Sequence, residues 1–168
     1  MKKRLIFVAR WEIIEPLGPE YLAGLARDLG WHVTPVLVQK FDFSEVFEEL
    51  TANGADLVCF SVWTGFHLPA LEAAKKVRSM GFPVAIGGPH ATFSAAQCLP
   101  CADYVIKNDG FNLFKNLLDG TLAPGLHFRP ERDDSFPQPD RETFYSRYSD
   151  LRNNPIKSLI CSTGCPFT

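Results

Sequence analysis

Strand-like and helix-like patterns alternate five times over residues 4–119 of this 168-residue chain. That alternation leaves few folds open. Successive strand–helix–strand units with right-handed crossovers build a parallel sheet covered by helices on both faces. Each strand then reads as one continuous apolar run, because both of its faces are buried. "RLIFVA" from Arg4 is such a run, and so are "DLVCFSV" and "PVAIGG". "HVTPVLV" is the second strand, and Pro35 inside it points to a sheet edge, where a missing N–H breaks no ladder. "DYVIK" is a short fifth.

The intervening segments carry helix signals. "PEYLAGLARDLG" opens on Pro19 and stops at Gly30, with Leu22, Leu25, Ala26 and Leu29 at helical spacing. "SEVFEELTANG" has Ser44 as N-cap, Phe47 and Leu50 on one face and Gly54 at the stop. "HLPALEAAKKVRSMG" aligns Leu68, Leu71, Ala74 and Val77. A short helix near Phe93–Gln97 and the helix "GFNLFKNLLDG" complete the set. The expected architecture is a flavodoxin-like (Rossmann-like), doubly wound, five-stranded parallel sheet of order 2-1-3-4-5. It occupies residues 1–120. Beyond Gly120 the pattern stops, and six of the 13 prolines fall in the remainder. Residues 121–155 read as a proline-rich linker wrapping the domain surface. "PIKSLICS" reads as a strand opening a new unit over residues 156–168.

Composition closes off several function classes. Hydrophobic residues make up 46% of the chain, enough for a real core. A net charge of −2 with no basic block argues against nucleic acid. The first apolar run, Leu5–Ala9, is too short for a signal-peptide core or a membrane span, so the sequence reads as cytoplasmic with no membrane partner. Cys59, Cys98 and Cys101 sit in apolar or helix-edge contexts and read as reduced structural thiols. "CLPC" has redox spacing but lacks the matching strand-to-helix context.

Ligands of such sheets bind at the C-terminal ends of the strands. The loop after strand one, "RWEIIEPLG", has no glycine-rich phosphate motif and little Ser or Thr, which weakens dinucleotide and flavin readings. Strand three ends in Phe60 and Ser61, not in the Asp of a phosphate-accepting receiver. Its loop "SVWTGFH" offers the hydroxyls of Ser61 and Thr64, the flat face of Trp63 and close approach at Gly65. After strand four comes "GGPHAT". Gly87 and Gly88 either turn the chain tightly or leave room for something long or flat, and the neighbouring "SVWTG" favours the second. His90 is a ligand or acid–base group, or equally a hydrogen-bonded loop histidine. Asp109 either binds a ligand hydroxyl or caps the last helix.

"PLGPEYLAGLARDLGWHV", "DLVCFSVWTG", "VAIGGPHAT", "ADYVIKNDGF" and the terminal "STGCPFT" together resemble the N-terminal cobalamin-binding domain of cobalamin-dependent radical S-adenosylmethionine enzymes. The resemblance covers nearly the whole chain, and "IGGPHAT" is its most specific piece. It implies cobalamin as cofactor. Gly87 and Gly88 would line a channel for the nucleotide tail, and Ser61 and Thr64 would hydrogen-bond the tail. Trp63 and the loop from Arg10 and Trp11 to Glu15 would approach the corrin. Relatives that give cobalt a histidine do so from a motif after strand one, yet no histidine lies between Arg10 and His32. Base-off binding without a histidine on cobalt is therefore expected.

The family's cluster motif is Cys-x-x-x-Cys-x-x-Cys. Cys165 and the three residues after it match its start, which makes Cys165 the first ligand of a four-iron, four-sulfur cluster in a longer chain and Cys161 an extra, structural thiol. One thiolate cannot hold such a cluster. The chain then resembles a fragment, inactive alone, whose partner is its own radical S-adenosylmethionine barrel. The parent would be a methyltransferase using methylcobalamin. "KNDGF" departs from the family's Gly-Glu-Gly-Glu-like run at Asn108 and Phe111. Two other readings stand beside this one. They are a cobalamin-free docking or gating domain of the same family, and another flavodoxin-like cofactor binder.

Overall fold

A computed structural model describes residues 2–12, 15–108, 110–129 and 137–160. Six parallel strands form one sheet: β1 (Arg4–Arg10), β2 (His32–Val38), β3 (Leu57–Ser61), β4 (Val84–Gly87), β5 (Tyr104–Ile106) and β6 (Gly125–His127). Their order is 2-1-3-4-5-6, so the flavodoxin-like arrangement holds and a sixth strand extends it. β2 is an edge strand, as Pro35 required. Five strands were expected because β6 is three residues long, too short to show a period. Backbone geometry makes it a strand: Gly125 N–H donates to Asp103 O at 2.8 Å and Lys107 N–H to His127 O at 3.0 Å.

Alternate residues of each strand feed two separate cores. Ile6, Val8, Val58, Phe60, Val84 and Ile86 face α2 (Ser44–Asn53), α3 (His67–Ser79) and α4 (Pro89–Cys98). Leu5, Phe7, Leu57, Cys59 and Ala85 face α1 (Leu17–Asp28) and α5 (Phe111–Leu118). This two-sided burial is what makes the strand sequences continuously apolar. On α3 the aligned face keeps Leu71, Ala74 and Val77 inside but leaves Leu68 67% exposed at its first turn. Ser44 begins α2 without capping it; the Asp42 carboxylate accepts the Ser44 N–H at 2.9 Å instead.

The segment after residue 120 also carries α6 (Arg141–Arg147) and α7 (Ser149–Asn153). Asp140 caps α6, accepting from Thr143 N–H at 3.2 Å and Thr143 hydroxyl at 2.8 Å. Phe144 and Leu151 are buried in the α1/α5-side core. Tyr148 hydroxyl accepts the Leu37 N–H on the open edge of β2 at 2.8 Å, so part of that edge is covered. Asp140 N–H donates to Glu20 O at 2.8 Å. A Cβ on Gly24 would stand 1.8 Å from Gln138 O, so only glycine lets this segment lie so close to α1. Residues 156–160 form no strand, and Asp109, Cys161 and Cys165 lie outside the described residues. Among the described residues no helix is long and apolar enough to cross a membrane.

Candidate functional site

A cavity of about 190 Å³ opens between the C-terminal half of the sheet and helices α1 and α5. Strand register sets its depth. Phe7, Cys59 and Ala85 lie side by side across β1, β3 and β4 and form the floor. Ser61 and Gly87, paired at the ends of β3 and β4, stand at the mouth with Gly88 and Asn108. Leu22 comes from α1 and Phe111 and Phe114 from α5.

The two adjacent glycines have different reasons for being glycine. Gly88 sits at φ +94°, and a Cβ there would come within 2.8 Å of Val62 O and 2.9 Å of Val62 N. The fold alone demands it. Gly87 is under no such demand, since a Cβ would meet nothing nearer than Ile106 O at 3.7 Å. Gly18, in the first turn of α1, has nothing within 4 Å of its Cβ position. Glycine in a helix costs about 0.5–1 kcal/mol relative to alanine. Both residues line the cavity, so what they supply is empty volume.

Of the expected site residues, Ser61, Gly87 and Gly88 line this cavity. Trp63, Thr64, Gly65 and His90 stand at the same end of the sheet but not in its lining. Trp63 is 38% exposed. Thr64 Oγ1 and His90 Nδ1 share a hydrogen bond of 3.1 Å, and the His90 ring stacks on His67 at 4.3 Å. Burial, then the neighbouring His67, holds His90 below the ordinary imidazole pKa. Gly65 takes φ +96°, and its N–H donates to His67 Nδ1 at 3.2 Å. Arg10 is exposed and lies 3.7 Å from Glu12. Trp11 turns toward the β2 edge, its ring 5.5 Å from Tyr148.

Sequence reading missed the α1 and α5 walls: Gly18, Pro19, Leu22, Gly110, Phe111 and Phe114. Gly18 was legible only as a loop residue beside Pro16. Its signal was a glycine followed by Pro19 at a helix start, where neither a turn nor a cap needs it. Asn108, noted as a family departure, takes φ +58°, a conformation asparagine tolerates better than most residues.

A buried polar cluster joins α1 to the C-terminal segment. Glu15 accepts from Tyr145 hydroxyl and from Ser158 N–H at 2.9 Å, with Lys157 Nζ at 3.5 Å. Arg141 Nε lies 3.7 Å from Glu15 and 3.6 Å from Glu20. Burial opposes charge on Glu15, but the Tyr145 and Ser158 hydrogen bonds and the Arg141 and Lys157 charges hold its pKa below the usual range. Glu20 is fully buried; burial, with the Glu15 charge beside it, pushes its pKa up to about 7.

The three described thiols, Cys59, Cys98 and Cys101, are inert. Burial raises the pKa of Cys59, pushes Cys98 up to about 11 and raises Cys101, so none forms a ready thiolate. Among the described residues no group of three or more His, Cys, Asp or Glu is placed to hold a metal ion.

Comparison with known proteins agrees with this geometry. A Pyrococcus horikoshii protein named as an uncharacterized methyltransferase is 29% identical over 151 residues. The match takes in 86% of this chain but 31% of that protein, so the chain spans about a third of its relative's length. The B12 binding domain family matches residues 4–118, a stretch that contains every residue lining the cavity. The chain therefore belongs to the B12-binding domain family.

Proposed function

We propose that the chain is the cobalamin-binding module of a radical S-adenosylmethionine methyltransferase, with the nucleotide tail of cobalamin seated between the sheet and helices α1 and α5. The carrying observation is the hollow at Gly18 and Gly87, which no local backbone requirement explains. The cavity fits a tail and not a corrin. Sites that enclose drug-sized ligands run to about 300–1,000 Å³, whereas this one measures about 190 Å³. The corrin would therefore lie outside, across the strand ends.

Each neighbouring side chain then has a task. Gly18 and Gly87 keep the channel open, and Phe7, Leu22 and Phe114 exclude water from it. Ser61 hydroxyl and the Asn108 amide stand at the mouth, where a tail turns from apolar to polar. Trp63 and Arg10, both exposed near the strand ends, would meet the corrin in this reading. Thr64 acts indirectly, holding His90. When bound, cobalamin supplies a cobalt centre able to carry a methyl group and give it up. With no histidine between Arg10 and His32, the lower face of cobalt would see Arg10, another side chain of the loop after β1, or water. Trp11 is held by Tyr148.

The methyltransferase reading draws on the name of the Pyrococcus horikoshii relative. The radical part rests on the likeness of the stretch around Cys165 to the cluster motif. In that reading the 4Fe-4S cluster and S-adenosylmethionine belong to a barrel this chain would serve. The test is to mix the chain with hydroxocobalamin, remove free cofactor and record the visible spectrum. A retained base-off spectrum, with quenched Trp63 fluorescence, is expected. Loss of all colour from a folded chain, and from the longer enzyme too, would instead favour a cobalamin-free docking domain.

A further inference from the structure

Resting on the cobalamin reading above, we infer that this cavity selects the base of the nucleotide tail: it takes an apolar, benzimidazole-type ring and discriminates against a purine. The argument is one of depth. Among the described residues, the oxygen- or nitrogen-bearing side chains of the lining are Ser61 and Asn108, and both belong to the mouth. Ser61 ends β3 and Asn108 lies past the end of β5. Two strand positions separate Ser61 from Cys59 on the floor, about 6.6 Å along the strand. Below that level lie Phe7, Cys59 and Ala85, and Leu22, Ile106 and Phe114 add further apolar wall.

Floor backbone cannot substitute. Phe7, Cys59 and Ala85 lie in paired parallel strands, where their N–H and C=O groups are committed to the ladder. The Cys59 thiol is the one exception to an apolar floor, and it is a neutral, weak hydrogen-bonding group.

Size does not choose between the bases. A cavity of about 150 Å³ takes up benzene, and one of about 190 Å³ leaves room for either bicyclic ring. Polarity does choose. An adenine-type base brings an exocyclic amine and additional ring nitrogens to a floor whose described side chains offer them nothing better than the weak Cys59 thiol. Each group left unmet costs about tenfold or more in affinity. A dimethylbenzimidazole presents methyl groups to the same surface and loses nothing.

The experiment is an equilibrium titration of the chain, read by visible absorbance, with three probes. These are cobalamin, the cobamide whose lower base is adenine, and cobinamide, which has no nucleotide. Cobalamin should bind about 10–100-fold more tightly than the adenine cobamide, and the adenine form should approach cobinamide. In Cys59→Ser, checked for folding by thermal melt, a hydroxyl on the floor should narrow that gap several-fold. Equal binding of the two cobamides overturns the inference, and so does an unchanged gap in folded Cys59→Ser. Cobalamin binding no better than cobinamide overturns it as well, because the base is then not in the cavity, while the cobalamin reading survives. If none of the three binds to the chain or to the longer enzyme, the cobalamin reading itself fails and takes the inference with it.

Discussion

The two faces of the sheet are covered by similar helices, yet one is solid and the other hollow. On the α2/α3/α4 face the strand ends carry Val8, Phe60 and Ile86, with Val62 and Phe66 beyond them, all at most 2% exposed. On the α1/α5 face the same strand ends carry Cys59, Ala85 and Gly87, and Gly18 stands across from them on α1. Small residues on facing elements leave a gap that the longer side chains Phe7, Leu22 and Phe114 border but do not fill. A close-packed interior tolerates few such gaps. The lesson is that one sheet can pack solidly on one face and leave an open cavity on the other.

Substitutions can break this division. On the hollow face, Gly87→Val should weaken cobalamin binding at least 100-fold while shifting Tm by only a few degrees, because its Cβ meets nothing nearer than 3.7 Å. Gly88→Ala is the control: its left-handed φ and the Val62 backbone make it a folding mutation, costing about 2–4 kcal/mol by denaturant melt. If Gly87→Val also unfolds the chain, the glycine pair is a turn and the division fails. On the solid face, Phe66 stacks between Phe41 at 6.1 Å and Phe43 at 5.6 Å. Phe66→Ala should cost about 3–5 kcal/mol of stability, and cobalamin affinity of the molecules still folded should stay within about threefold.

The polar cluster under α1 sharpens the comparison, since it supports the wall of the hollow. Glu20 carries a pKa of about 7 when folded, raised from 4.5, so the folded state holds a proton that the unfolded chain has released. Its favourable contribution is complete below pH 4.5 and is lost as pH rises through 7. The groups facing it are Glu15, Arg141 and Lys157. Glu20→Gln should flatten the fall in stability between pH 5 and 8, a difference of about 1–3 kcal/mol in paired urea melts. A wild-type curve already flat across that range contradicts the burial argument. The smallest effect belongs to Tyr148→Phe. It leaves Leu37 N–H unpartnered on the β2 edge at a cost of about 0.5–1.5 kcal/mol, with cofactor affinity unmoved.

Much of this molecule was legible before any coordinates. Five apolar runs separated by helical periods led to the parallel sheet, and Pro35 led to the edge position of β2. Ser61 and Gly87 were legible as candidates because β3 and β4 end there and neither residue is what a buried strand prefers, and both line the cavity. Leu68 was misread because periodicity marks a helix face but not how far the core reaches along it. The strand β6 was invisible because three residues carry no pattern and its partners are 20 or so positions away.

Local patterns of burial and turn chemistry are written along the chain, so the order of elements and the strand-end glycines follow from composition and spacing. Depth is not written there. That Cys59 is floor and Ser61 is mouth, that Gly18 faces Gly87, and that Glu20 lies beneath Arg141 all depend on register and helix docking. These bring together residues far apart in the chain, and long-range packing energy, not local preference, selects the arrangement.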